Sequence, residues 1–285
     1  MLTGSQATDQ ALAGFLAGTV STGVLHPLDL IKTRLQVNET SRISISKIVI
    51  NAAKKDGVLS FYRGISANLA GASLSWGLFF FWYSKMKTSM SNGDNDKLSP
   101  IGHLSASATA GFLTTLVTNP IWVVKTRMLT QNRIDAGAYS GLYDGLRKIY
   151  RHEGLSGLYR GLVPAIFGVS HGAVQFMVYE ELKRFNSERE MFSGTLGSVA
   201  MASVSKVCAT ICTYPYQVVK SRMQVEGRYV QEEYSTVLKT IRTIYTNERV
   251  TGFYKGMGVN IVRVLPGTCI TFAVYELASY KFQNW

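Results

Sequence analysis

Acidic residues are scarce in this chain, and they are missing from the stretches that would define its core. It has 18 Asp and Glu against 30 Lys and Arg, a formal net charge of +12. Four stretches, 10–28, 64–84, 98–124 and 161–179, hold no charged residue of either sign. Each is long enough to cross hydrocarbon as a helix, which takes ~20 residues. Residues 191–219 would be a fifth such stretch but for Lys206, and residues 256–275 a sixth but for Arg263. Cysteine is rare as well. Cys208, Cys212 and Cys269 make neither an even disulfide set nor a metal-ligand spacing, and they read as small buried residues. The first ten residues carry no basic stretch and no Arg-rich presequence, so an organellar address would be internal. No nucleophile–base pair, paired carboxylates or metal-ligand cluster stands out, which argues against an enzyme.

Charged residues make up 17% of the chain, below the about 25% of a typical soluble domain. A basic chain first suggests a nucleic-acid binder, but the placement of the cations argues otherwise. Segments 32–63, 125–160 and 220–255 hold seven Lys and Arg each. Such an even partition suits one face of a membrane protein.

A repeat underlies it. Pro27-Leu-Asp-Leu-Ile-Lys-Thr-Arg34 returns as Pro120-Ile-Trp-Val-Val-Lys-Thr-Arg127 and as Pro215-Tyr-Gln-Val-Val-Lys-Ser-Arg222, at intervals of 93 and 95 residues. The expected units are 1–96, 97–190 and 191–285, forming one integral membrane domain. Two spans per unit give every unit the same orientation, with a pseudo-threefold axis along the membrane normal. The fold class expected is therefore an all-α membrane protein of six transmembrane helices in three parallel tandem repeats. Both termini then lie on one side and the basic segments on the other. Polar linkers are expected at 87–99 and 186–193.

Each basic segment carries an amphipathic pattern suited to a short surface helix: Ile43, Ile45, Ile48, Val49 and Ala52; Tyr143, Leu146, Ile149 and Tyr150; Val237, Leu238, Ile241 and Ile244. Each is followed by an aromatic-cation-glycine step ending in Gly64, Gly161 or Gly256. These glycines suit a turn whose neighbouring amides bind an anionic lipid phosphate; an ordinary turn is the alternative. The first span has Gly14-x-x-x-Gly18, a close-packing pattern in lipid, and Thr19, Ser21 and Thr22 suggest that one side meets water.

Pro27, Pro120 and Pro215 each remove a helix hydrogen bond and bend a span. Three equivalent bends would bring the residues just beyond them together on the axis. These are Asp29 and Lys32, Trp122 and Lys125, Gln217 and Lys220, and they read as a gate. The one acid, Asp29, is expected to pair with Lys125, Gln217 to accept from Lys32, and Trp122 to stack under Lys220 at about 0.5–2 kcal/mol. Snorkelling at the interface is the alternative. An opposing gate would use Lys87, Glu180, Lys183 and Glu276, with Glu276–Lys87 its one full pair.

Between the gates lie Lys206 and Arg263. A cation at mid-bilayer costs about 2.5–3.5 kcal/mol, so it usually faces a cavity and serves function. With no acid near either in sequence, they read as an unpaired anion site for phosphate or carboxylate; for Lys206 the alternative is snorkelling. Phe167, His171 and Gln175 on the fourth span, beside Gly168, and Asn68 and Gly71 on the second complete a pocket. Phe167 would stack a planar group and the glycines would make room for it, although His171 could equally be a packed histidine.

These motifs resemble the mitochondrial carrier family over nearly the whole chain. The resemblance implies a six-helix barrel in the mitochondrial inner membrane, both termini toward the intermembrane space, alternating access and bound cardiolipin. It makes the residues past the prolines the matrix gate. Gln36 and Gln224 match the glutamines that brace it, while Leu129 departs from the pattern. Trp122 resembles the branch that moves NAD, pyrimidine nucleotides, folate and FAD. The run from Gly161 to Gln175, together with Leu74-Ser-Trp-Gly77 and Tyr214-Pro-Tyr-Gln-Val-Val219, is similar to the FAD/folate carriers. The family's substrate contact points fall on Gly71, Phe167-Gly168 and Arg263. The expectation is a transporter of FAD, as substrate rather than cofactor, working as a monomer, with folate and then NAD or pyrimidine nucleotides as alternatives. Lys206 would supply a second cation for a diphosphate.

Overall fold

The computed structural model describes residues 6–39, 44–90, 99–132, 134–135, 137–189, 194–225 and 234–283. Ile43 and most of the two polar linkers lie outside the described residues. Every regular element among them is helical: α1 (Gln6–Val37), α2 (Ile45–Asp56), α3 (Ile65–Met90), α4 (Pro100–Thr130), α5 (Leu142–Leu158), α6 (Leu162–Ile166), α7 (Val169–Arg189), α8 (Gly194–Gln224), α9 (Val237–Gly252) and α10 (Met257–Gln283). The same order of long helix, surface helix and long helix occurs three times, as the repeat requires.

Pro27, Pro120 and Pro215 sit inside α1, α4 and α8. Segments Val58–Met90, Leu162–Asn186 and Met257–Lys281 are long and apolar enough to cross a membrane by length and composition alone. The helices α1, α4 and α8 are rich in hydroxyls and carry the motif charges; their place in the bundle makes them the partnering spans. Long helices of neighbouring repeats pair as α3 with α4, α7 with α8, and α10 with α1, which closes the ring.

Small residues at four-residue spacing allow this pairing. Ala13, Ala17 and Ser21 on α1, Ala106, Ala110 and Thr114 on α4, and Ser205, Ala209 and Thr213 on α8 are all buried, and the Ser21 hydroxyl donates to the Gly267 carbonyl of α10 at 3.4 Å. Gly14 and Gly18, expected to form the close contact, instead face open space. They lie one position away from the buried Ala13–Ala17 stripe, so the alanines do the packing. Cys212 and Cys269, read as buried, are exposed.

The surface helices pack by a narrower stripe than the sequence pattern suggests. Ile48 and Ala52 of α2 are buried. Ile149 of α5 joins Val123 and Val124 of α4, and Ile244 of α9 joins Val218 and Val219 of α8. Tyr143, Tyr150 and Leu238 are exposed instead, on the side of each surface helix turned away from the long helix it packs on.

Gly64, Gly161 and Gly256 have φ of +77°, +70° and +81°, a region where side chains are strained. A Cβ at Gly256 would lie 3.0 Å from the Lys32 carbonyl oxygen and one at Gly161 3.2 Å from that of Lys220, whereas at Gly64 it would meet Met128 Cβ at 3.2 Å. Each turn glycine therefore seats its repeat against the motif helix of the next.

One equivalent backbone position breaks the symmetry. Where repeats 1 and 2 have Gly57 and Gly154 at positive φ, repeat 3 has Arg249 at φ 58° and ψ −153°. Such a conformation stores about 1–3 kcal/mol in a non-glycine residue. Arg249→Gly should therefore raise stability by about 1 kcal/mol, seen as a higher thermal unfolding midpoint in detergent; an unchanged or lower midpoint contradicts the strain.

Candidate functional site

Two adjoining cavities occupy the interior of the ring. The first, about 420 Å³, lies between α1, α7, α8 and α10 and is lined by Ser21, His171, Lys206, Asn260 and Arg263, with Lys32 and Gln217 at its floor. The second, about 300 Å³, lies where α1, α4 and α8 converge beyond their prolines, lined by Asp29, Trp122, Lys125 and Lys220. Gln36, Gln224 and Gly168 complete its wall. Lys32, Gln217 and Arg263 line both cavities. Among the described lining residues, Lys32, Lys125, Lys206, Lys220 and Arg263 are cations and Asp29 is the only carboxylate. In a low-dielectric bundle this excess makes the interior a strong attractor for anions.

The residues past the prolines converge, but they pair differently from expectation. Lys32 Nζ donates to Gln217 Oε1 at 3.3 Å, as the sequence suggested. Asp29 forms its ion pair with Arg263, not with Lys125. The reason is position: α10 packs along α1, and a guanidinium on that neighbour reaches the carboxylate with a fork suited to it. Arg263 is thus not the unpaired cation read from the sequence. Asn68, buried, adds a long contact of 3.5 Å from Nδ2 to Asp29 Oδ2. Trp122 holds Lys125 of its own helix, Nζ 5.0 Å from the ring centroid, and not Lys220. The i, i+3 spacing puts these two on one helix face. Among the described residues Lys206 has no ion-pair partner.

A threefold lock below the second cavity went unassigned in the sequence. Arg34 Nε donates to the Leu129 carbonyl at 3.0 Å, Arg127 Nε to that of Gln224 at 3.0 Å, and Arg222 Nε to that of Gln36 at 2.9 Å. Each bond joins one repeat to the next. The signal was present, since every motif copy ends in arginine. Gln36 and Gln224 add side-chain links, accepting from Ser221 at 2.9 Å and from Thr126 at 2.8 Å. Leu129 can accept no such bond, and Thr33 turns to its own helix, donating to the Asp29 carbonyl at 2.8 Å. The seam between repeats 1 and 2 therefore lacks a bond that the other two have.

The expected pocket is only partly assembled. His171 lines the first cavity and its Nδ1 lies 2.8 Å from Thr213 Oγ1. Gly71 does not open a space: Ile121 and Trp122 cover it, and a Cβ there would meet Ile121 Cγ2 at 3.1 Å. It serves close packing of α3 on α4. The fourth span is not one helix. It breaks between α6 and α7 at Phe167-Gly168, which sets Phe167 apart from His171 and Gln175, one turn apart on α7. Phe167 is 60% exposed, and neither it nor Gln175 lines the cavities.

At the opposite end Glu180, Lys183 and Glu276 are exposed and Lys87 is half-buried. No ion pair joins them among the described residues, so the expected Glu276–Lys87 pair is not formed. The arginine–carbonyl bonds gather at the proline end, while at this end the Tyr83 hydroxyl meets His103 Nδ1 at 2.9 Å between repeats 1 and 2.

Comparison with known proteins accords with this architecture. The family described as mitochondrial carrier protein matches residues 4–94, 96–190 and 193–284. The chain is 36% identical to the mitochondrial FAD carrier protein FLX1 of Saccharomyces cerevisiae, with 95% of this chain and 96% of that protein aligned. It is 37% identical to the chloroplastic folate transporter 1 of Arabidopsis thaliana, over 94% and 93% of the two chains. With the chloroplastic nicotinamide adenine dinucleotide transporter 1 of the same plant the identity is 35%, over 94% and 89%. Three tandem matches and end-to-end similarity to these transporters show that the chain belongs to the mitochondrial carrier family.

Proposed function

We propose that this carrier moves FAD across the mitochondrial inner membrane by alternating access. The observation that carries the reading is the charge of the interior: among the described residues five lining cations, one of them a mid-span lysine without an ion-pair partner, face one carboxylate. A doubly charged diphosphate matches such a site. Arg263 and Lys206 would hold the diphosphate, with His171 and Gly168 beside it and Asn68 steadying Asp29. Similarity to a carrier named for FAD supports the flavin nucleotide. Similarity of equal degree to a folate transporter and a nicotinamide adenine dinucleotide transporter makes these the second reading.

In the same reading the proline end is the matrix gate, here closed by the arginine–carbonyl lock. Lys87, Glu180, Lys183 and Glu276 form the cytoplasmic gate, here open, and both termini face the intermembrane space. Cardiolipin phosphates would be held by the amides at Gly64, Gly161 and Gly256, and the protein would work as a monomer. Uptake by proteoliposomes tests the substrate: labelled FAD should enter saturably, and more slowly when folate or NAD is in excess. Uptake of folate or NAD with FAD neither entering nor competing overturns it.

A further inference from the structure

We propose that the first cavity selects its cargo by the hydrogen bonds the cargo donates: His171 Nε2 and the hydroxyl oxygens around it are left as acceptors, and they suit an anion that carries a polyhydroxyl chain. The inference rests on the anion-carrier reading of the cavities, but not on which such anion is carried.

The tautomer of His171 follows from its partner. Thr213 Oγ1 has a single hydrogen and donates it to the Ala209 carbonyl at 2.6 Å. Toward His171 Nδ1, 2.8 Å away, it can only accept. The ring hydrogen of the neutral imidazole therefore sits on Nδ1, and Nε2 carries a lone pair. Nε2 has no hydrogen-bond partner among the described residues, and the half-buried ring lines the first cavity. Thr213 is buried and lies on α8, so one repeat fixes the ring of another. The nearby hydroxyls are committed in the same way. Ser21 donates to the Gly267 carbonyl at 3.4 Å, Thr210 to that of Lys206 at 2.7 Å, Thr268 to that of Val264 at 3.1 Å and Thr271 to that of Gly267 at 2.8 Å. All four line this cavity, each with its hydrogen spent and its lone pairs still open.

The cations of the cavity donate, and most of its uncharged polar groups accept; Asn260 and the Gln217 amide can do both. A fitting cargo therefore brings negative charge for the one set and O–H or N–H groups for the other. An ammonium donor is kept out by Lys32, Lys206 and Arg263. Acceptors spread over α1, α7, α8 and α10 call for several neutral donors in a row, which a ribityl or ribosyl hydroxyl chain supplies. The same wall works against wrong anions. A bare phosphate or carboxylate would set oxygen lone pairs against that of His171. An alkyl chain would strip water from the acceptors and leave their hydrogen bonds unmade.

The test uses purified full-length protein and two probes of matched length and charge, ribitol 5-phosphate and pentyl phosphate, with binding measured by calorimetry. Wild type should prefer ribitol 5-phosphate at least about tenfold; a merely apolar wall would reverse that order. His171→Leu should narrow the preference at least about threefold, whereas His171→Gln, which keeps an acceptor oxygen, should retain most of it. Thr213→Val keeps the shape but removes the acceptor that fixes the ring, so it should narrow the preference as well, and Thr213→Ser should not. Equal binding of the two probes, tighter binding of pentyl phosphate, binding of neither, or an unchanged preference in His171→Leu overturns the proposal. So does the same narrowing in Thr213→Ser as in Thr213→Val. Should the variants not fold, the two probes on wild type decide. A wild type that prefers ribitol 5-phosphate but moves no FAD sinks the flavin reading alone. Saturable FAD uptake with no preference between the probes sinks this one alone.

Discussion

Arg263→Ala should reduce FAD uptake by proteoliposomes at least about a hundredfold while leaving a folded helical barrel. Removing one preorganised charge-assisted contact at a polar site typically costs 10²–10³ in rate, and no other guanidinium lines either cavity among the described residues. The fold should survive because Asp29, its ion-pair partner, shares a cavity with Lys32 and Lys125, so the orphaned carboxylate keeps cationic neighbours. Lys206→Ala should also abolish uptake, and with less effect on stability, since Lys206 has no ion-pair partner among the described residues to strand. Circular dichroism and thermal unfolding of the same preparations separate lost function from lost fold. Near-normal uptake in either variant removes that residue from the site.

The sequence carried the architecture because symmetry and solvent both write into it. Charge-free stretches mark the spans, and three copies of one proline motif set the repeat. The meeting of the residues past the prolines was legible for the same reason: a common offset from Pro27, Pro120 and Pro215 is a common height in the barrel. Their partners were not. A one-dimensional pattern cannot tell which of two cations a lone carboxylate meets, and the even-numbered helix that delivers Arg263 to Asp29 lies outside the repeated motif. The glycine readings divide along the same line. Positive φ at Gly64, Gly161 and Gly256 followed from the turn, a local matter. What Gly71 faces, the Trp122 and Ile121 side chains, depends on a helix fifty residues away. The break at Phe167-Gly168 had a local signal in Pro164 and Gly168, four apart near the start of the span, which the lack of charge in 161–179 concealed.

Glu248→Ala should lower stability by about 3–5 kcal/mol, the usual cost of stranding a buried charge. Glu248 accepts two hydrogen bonds from Arg222, at 2.5 and 2.9 Å, and forms a further ion pair with Lys255. The Arg222 and Glu248 side chains are 2% and 3% exposed. Burial alone would raise the Glu248 pKa, but hydrogen bonds from Arg222 and Lys255 outweigh it and hold the carboxyl below its ordinary 4.5. A carboxyl depressed by folding contributes stability that is complete above its unfolded value and is lost as pH falls through the folded one. Wild type should therefore lose this contribution only below about pH 4.5, whereas Glu248→Ala should show a flatter stability profile there. Thermal unfolding from pH 3 to 7 in detergent measures both, and equal midpoints for the two proteins at neutral pH would contradict the claim. The effect should reach transport too. Arg222 also donates to the Gln36 carbonyl, the seam by which repeat 3 grips repeat 1. That is the boundary where α10 sets Arg263 against Asp29, so a loosened Arg222 should cost uptake as well as stability.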